Sequence, residues 1–173
     1  MNLPSDTLVT TYLHMTRPEQ FLPSFVQRDD LLMLPMRTPD VDYYRFLYKS
    51  VGEPWCWRDR LIMPNEELRA VLASSTNTVN VMYVDGTPAG YIELERQNDD
   101  MEIAYFGLRT GYFGQGLGKH LLSVGIKQAW ESGVRRVWVH TCNLDGPHAL
   151  KNYQARGFVV YDIVEERMPP RYL

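Results

Sequence analysis

With 173 residues, 45% of them hydrophobic and 23% charged, the chain has the size and composition of one globular domain with a sizeable core. Its formal net charge of −3 argues against nucleic acid as a partner, because neutralising phosphates calls for a basic surface. Two cysteines, Cys56 and Cys142, with no C-x-x-C pair, support neither a disulfide framework nor a zinc site, and no metal is expected. No uninterrupted apolar run reaches membrane-spanning length and the first residues lack a signal-peptide pattern, so a cytoplasmic protein with no membrane partner is expected.

In chain order, Leu8 to His14 reads as a short strand at the edge of a sheet. The expected organisation is a single domain over 1–173, with 1–30 as an N-terminal extension or edge strand. The run Leu31-Leu32-Met33-Leu34, cut by Pro35, predicts a strand within Asp29 to Met36. Thr38-Pro39-Asp40 opens a helix over Val41 to Val51, and Gly52-Glu53-Pro54 closes it. Pro64 to Ala73 predicts a second helix, with Glu66 and Glu67 near its positive end. Val79 to Val84, Ala89 to Arg96 and Glu102 to Leu108 then read as an antiparallel meander. Its turns fall at Asp85-Gly86 and Asn98-Asp99-Asp100.

The order next switches to strand, helix, strand: Ile103 to Leu108, Leu117 to Glu131, Val134 to His140. Such a βαβ unit implies a parallel pair and a right-handed crossover. Lys119, His120, Ser123, Lys127 and Glu131 share one sector of the central helix, which predicts a buried helix with one solvated stripe. A last helix from His148 to Arg156 leads to a strand from Phe158 to Val164. The fold class is therefore α/β, with an α+β mixed sheet: a meander, a βαβ crossover and a C-terminal helix and strand. Met168 to Leu173 reads as a loose tail or as part of a homodimer contact.

Gly114-Gln115-Gly116-Leu117-Gly118 lies between the Ile103 strand and the Leu117 helix. Alternate glycines remove every other Cβ from a tight turn, so backbone N–H groups can close on an anion at a helix N-terminus. A phosphate-bearing ligand follows. A dinucleotide fingerprint needs a third glycine where Lys119 stands, and a P-loop needs a Ser or Thr where His120 stands. What remains, Phe113-Gly114-Gln115-Gly116-Leu117-Gly118, resembles motif A of the GNAT superfamily of acyl-CoA-dependent N-acetyltransferases. The departure is Phe113, where that family usually has Arg or Gln. The likeness covers roughly Leu31 to Val164, and the order of elements matches the GNAT fold.

The resemblance implies an acyltransferase that moves the acetyl group of acetyl-CoA directly to a primary amine, on a small molecule or a peptide. It implies that the backbone of Gly114, Gln115, Gly116, Leu117, Gly118 and Lys119 wraps the pyrophosphate. Phe106, Gly107 and Leu108 would pair with the pantetheine arm, and the Leu108 N–H could polarise the thioester carbonyl. Gly107 reads equally as a residue that relieves core crowding. Tyr153, in Tyr-x-x-x-Gly-Phe, lies over the family's usual general acid, and Asn143 resembles an Asn that contacts the coenzyme arm. Asn143 reads equally as a turn or helix-cap residue.

The base is open between Glu102, Glu93, and a water acting for one of them. Trp55 and Trp57, with Arg58 and Arg60, follow the first helix and could wall the acceptor site; Glu93, Glu95 and Glu102 would suit a cationic amine. His120 and His140 read as bland, His148 as a residue that could face the site, and Cys142 as a small buried one. The alternative in another functional class is an acyl-CoA-binding regulatory module that has lost catalysis. A nucleotide-binding protein with a coincidental glycine turn is a third reading.

Overall fold

The computed structural model of the protein describes residues 6–172. Seven strands form one mixed sheet: β1 (Thr7–Met15), β2 (Leu31–Pro35), β3 (Asn77–Val84), β4 (Thr87–Gln97), β5 (Asp100–Leu108), β6 (Arg136–Cys142) and β7 (Val159–Arg167). Five helices accompany it: α1 (Val41–Gly52), α2 (Asp59–Ile62), α3 (Asn65–Ala73), α4 (Leu117–Glu131) and α5 (Ala149–Ala155). The spatial order is β2-β3-β4-β5-β6-β1-β7, and the β5–β6 pair is parallel. The α/β mixed sheet, the meander and the crossover all follow the pattern expected from the sequence.

Local chemistry explains the boundaries. The Asp40 carboxylate accepts the Tyr43 N–H at 2.9 Å and caps α1, whose inner face carries Val41, Tyr44, Leu47, Tyr48 and Val51. Asp85 and Gly86 both take positive φ in the β3–β4 turn, the requirement of a tight hairpin. In β4 the period of two sorts side chains cleanly. Ile92 and Leu94 face α4 with Leu117, Leu121, Leu122 and Ile126, whereas Tyr91 faces α1 and α3 with Tyr44, Leu47 and Leu68. The sheet is therefore packed on both faces in its middle.

Three expectations need correction. First, β1 is not an edge strand: it pairs antiparallel with both β6 and β7. Leu8, Leu13 and Met15 are buried, which an edge position would not require, and the edge on this side of the sheet is β7. Second, the polar stripe of α4 is partly covered. Ser123 is fully buried and accepts the Ser24 N–H at 2.9 Å, while His120 Nδ1 accepts the Val26 N–H at 3.1 Å. The segment after β1 has no strand partner there, so it uses these side chains to satisfy its backbone. Third, residues 168–172 do not hang loose. Met168 is buried, its N–H donates to the Asp6 carbonyl at 2.8 Å, and Pro170–Tyr172 forms a single 3₁₀ turn. No described helix is long and apolar enough to cross a membrane.

Candidate active site

A break in the sheet creates the site. β5 pairs with β6 only from Asp100 to Ile103, opposite Arg136 to Val139, and then runs on to Leu108 paired with β4 alone. Glu93 faces Tyr105 while Leu94 faces Ile103, so Ala104 is an extra residue on β5. A bulge of this kind bends and twists its strand, and it falls where β5 leaves β6. The hydrogen-bond parity is set by Arg109, whose N–H donates to the Ala89 carbonyl at 2.8 Å. Counting back along the antiparallel register, Gly107 bonds to Tyr91, whereas Phe106 and Leu108 turn their N–H and C=O groups into the gap left by β6. An extended ligand could complete that free edge.

Gly107 has two neighbours. A Cβ built on it would meet Val51 Cγ1 at 2.6 Å, so the glycine lets α1 close on the strand. Its backbone also lines the cleft, with Phe106 and Leu108.

The glycine turn closes one end of the gap. Gly114 and Gly116 have φ of 76° and 74°, in the left-handed region, and Gly116 caps α4 without a side-chain hydrogen bond. The first N–H groups of α4 are thus left for a ligand, with the helix dipole behind them. A Cβ on Gly118 would only touch Leu108 and Asn152, at 3.7 and 4.0 Å, so the space over this turn is open. Phe113, Gly114, Gly116, Leu117, Gly118 and Lys119 all line the cleft. This donor set fits a pyrophosphate. Gln115 does not line the cleft: its side chain turns outward and accepts from Arg28 at 2.9 Å, so only its backbone can serve the turn.

Tyr153 lines the same cleft, with its ring edge-to-face against Phe106 and Phe158. Burial raises its pKa well above the ordinary phenol value, and the charge of Asp145 adds to this, so it is held protonated. Asn143 is a correction. Its Oδ1 accepts the Val9 N–H at 3.0 Å and its Nδ2 donates to the Thr7 carbonyl at 3.0 Å. Both amide ends are used in tying the loop after β6 to β1, and the side chain does not reach the cleft. Asn152, one residue before Tyr153, lines the cleft instead. No motif signalled it.

Glu93 is the second correction. It is completely buried, accepting from Tyr44 Oη, from Asn77 Nδ2 at 2.8 Å and from Arg60 Nη2 at 2.9 Å. The bulge at Ala104 does not bring it to the cleft, and a substrate cannot touch it. Glu102 does line the cleft, beside Glu95, its register partner across β4 and β5. Glu102 accepts from Gln97 Nε2 at 2.8 Å and lies 3.6 Å from His140 Nδ1. His140 is a third correction: it stands on the cleft wall, because the period of two along β6 turns it away from Val139 and the core. Cys142 also reaches the wall and is only half-buried. His120 lies elsewhere, beneath the Phe21 to Val26 segment, and burial lowers its pKa.

Trp55 and Trp57 both line the cleft, as do Arg58, Asp59, Tyr105, His148 and Tyr172. Trp57 is wedged between Tyr48 and Tyr105, with centroids 5.3 and 5.2 Å away, so it is at once core and wall. The cleft is continuous from the glycine turn to these residues, and its volume is about 1210 Å³. It is large enough for two ligands held end to end.

Comparison with known proteins agrees with this geometry. Residues 41–158 match the family model described as the acetyltransferase (GNAT) family. Among solved structures, the chain resembles a GCN5-related N-acetyltransferase from Sphaerobacter thermophilus, with a TM-score of 0.66 and 17% identity, over 95% of this chain and 53% of that one. It resembles a GCN5-related N-acetyltransferase from Kribbella flavida, with a TM-score of 0.65 and 15% identity, over 91% of this chain and 56% of that one. It also resembles an aminoglycoside acetyltransferase from an uncultured soil metagenomic sample, with a TM-score of 0.62 and 19% identity, over 74% of this chain and 88% of that one. The chain thus spans little more than half the length of the first two. At such identities these likenesses speak for the fold, and the family model, which covers more than half of the chain, speaks for kinship: the chain belongs to the GNAT acetyltransferase family, whose members use acetyl-CoA as a co-substrate.

Proposed function

We propose that the protein is an N-acetyltransferase that moves the acetyl group of acetyl-CoA directly to a primary amine, with no covalent enzyme intermediate. The observation that carries this reading is one continuous cleft that joins an anion-ready glycine turn and a free strand edge to Tyr153 and Glu102. The coenzyme would supply an activated acetyl thioester. Amides of the Gly114 to Lys119 turn would hold its pyrophosphate, and the free edge of β5 would hold its arm. The N–H of Leu108 points into the gap, where it can stabilise an oxyanion. Glu102, directly or through a water, would take the ammonium proton, and Tyr153 would return one to the departing thiolate.

Trp57 and Tyr105 with Glu95 and Glu102 at the far end of the cleft favour a cationic amine. The thermal midpoint with and without millimolar acetyl-CoA, CoA, ATP and NAD tests the donor, because a ligand of the native state raises it. Stabilisation by the CoA compounds alone is expected. Release of free thiol on adding primary amines then tests transfer. Stabilisation with no thiol release from any amine would favour an acyl-CoA-binding module, and no stabilisation would remove the coenzyme altogether.

A further inference from the structure

The turn Pro170–Tyr172 is bound to the cleft rather than to a remote surface. Arg171 Nε bonds to Asp59 Oδ1 at 2.9 Å, and the Arg171 guanidinium stacks over the Tyr172 ring at 4.6 Å. Asp59 begins α2, and both Asp59 and Tyr172 line the cleft. The turn is braced from behind, since Met168 is buried and the Tyr172 N–H bonds to the Pro169 carbonyl at 3.0 Å. Asp59, at the start of α2, and Cys142, at the end of β6, line the same cleft as Tyr172. Through Arg171 and Asp59, Tyr172 is tied to the segment that follows α1 and carries Trp57, which also lines the cleft.

We propose that Tyr172, held against Asp59 through Arg171, is the outer wall of the acceptor compartment and limits the bulk of the amine that enters it. The inference rests on the acetyltransferase reading for the word acceptor, but the wall itself does not. The Arg171–Asp59 pair is half-exposed on both sides, so it is a weak clasp. A weak clasp suits a wall that yields when a substrate passes.

Cys142 reports on the wall without any knowledge of the substrate, because it lines the same cleft as Tyr172 and is only half-buried. The rate of carbamidomethylation of Cys142 by iodoacetamide would be followed by peptide mass spectrometry, with the same thiol in the urea-unfolded protein as reference. Arg171→Ala should speed labelling of Cys142 about two- to fivefold, the opening expected from loss of an exposed ion pair. Tyr172→Ala should speed it at least as much. Tyr172→Phe and Arg171→Lys should stay near wild type, since the ring and the clasp survive. Equal rates in Tyr172→Ala and wild type would overturn the proposal.

A second arm reads selectivity. With acetyl-CoA and propylamine, benzylamine or 1-naphthylmethylamine, Tyr172→Ala should raise the kcat/KM of the naphthyl amine relative to propylamine by about tenfold, the scale on which pocket contacts discriminate. The KM for acetyl-CoA should not change. Faster labelling with an unchanged ratio would overturn the selectivity claim. If wild type and Tyr172→Ala both acetylate none of the three and acetyl-CoA does not stabilise the protein, the acetyltransferase reading fails, and the labelling rates alone decide the wall.

Discussion

The indole N–H of Trp57 donates to Asp145 Oδ1 at 3.4 Å, which ties the segment after α1 to the loop after β6 and so joins two walls of the cleft. The other oxygen of Asp145 accepts from Thr141 Oγ1 at 2.7 Å and from the Cys142 N–H at 3.0 Å. One carboxylate thus orders both the loop and the aromatic wall. Asp145→Ala would leave these donors without an acceptor, at a cost of about 1–3 kcal/mol. A fall of about 3–10 °C in the thermal midpoint is expected for a chain of this size. An unchanged midpoint would mean that the loop is ordered by something else.

Tyr153→Phe keeps the ring contacts with Phe106 and Phe158 and removes only the hydroxyl. If the phenol is the acid, kcat should fall about 10²- to 10⁴-fold, with the Kd of acetyl-CoA unchanged. A variant with full turnover would move the acid elsewhere, and the thiolate would then have to leave unprotonated or take its proton from water.

Glu93 and Glu102 separate structure from catalysis. Glu93→Ala would strand the Arg60 guanidinium and the Tyr44 and Asn77 donors in the core, and loss of one partner of a buried pair costs about 3–5 kcal/mol. Glu102→Gln, at a side chain that faces the cleft, should leave the unfolding midpoint nearly unchanged and lower kcat. Denaturant unfolding and steady-state rates on both variants decide between the two roles. A stable but inactive Glu93 variant would return Glu93 to the list of bases.

The sequence and the structure part company at identifiable places. Periodicity located every strand of the meander and α4 to within a few residues, because each has a buried face that writes a period of two or 3.6. Gly114 and Gly116 were legible because a positive φ at a helix start leaves few other residues to choose. Glu93 was not legible, since Glu93 and Glu95 on one strand and Glu102 on the next look alike until Tyr44, Asn77 and Arg60 converge on one of them. Asn143 was misassigned for a similar reason. Its partners, Thr7 and Val9, lie more than a hundred residues away, in a strand whose place between β6 and β7 nothing in the sequence marks. Tyr172 was placed in a loose tail or a homodimer contact because an ion pair such as Arg171–Asp59 leaves no pattern along the chain.

Gly116→Ala tests the turn. A side chain in the left-handed region costs about 1–2 kcal/mol, and the new Cβ would press on Lys119 Cε at 3.2 Å. Weaker acetyl-CoA binding by titration calorimetry is expected. Gly111→Ala is the control, since its φ is not positive and a Cβ there meets nothing within 4 Å. Equal losses in both variants would show that the effect is general loosening and not the turn.

The buried tyrosines set an alkaline limit. Burial raises the pKa of Tyr44, Tyr91, Tyr105 and Tyr153 well above the ordinary phenol value, and pushes that of Tyr48 up to about 12. In the unfolded chain each would titrate near 10. A group whose folded pKa is raised contributes stability that is whole below the unfolded value and lost as pH climbs towards the folded one. Between those limits the unfolded state has released protons that the native state still holds, so unfolding gains about 1.4 kcal/mol per tyrosine for each pH unit above ~10. Several such groups act together, so the thermal midpoint should be flat with respect to tyrosine titration up to about pH 9 and fall steeply beyond about 10.5. The tyrosinate absorbance of these five residues should appear together with loss of structure and not before it. Stepwise ionisation of most tyrosines in a chain that stays folded at pH 11 would mean that the aromatic core around Tyr48 and Tyr105 is open to water.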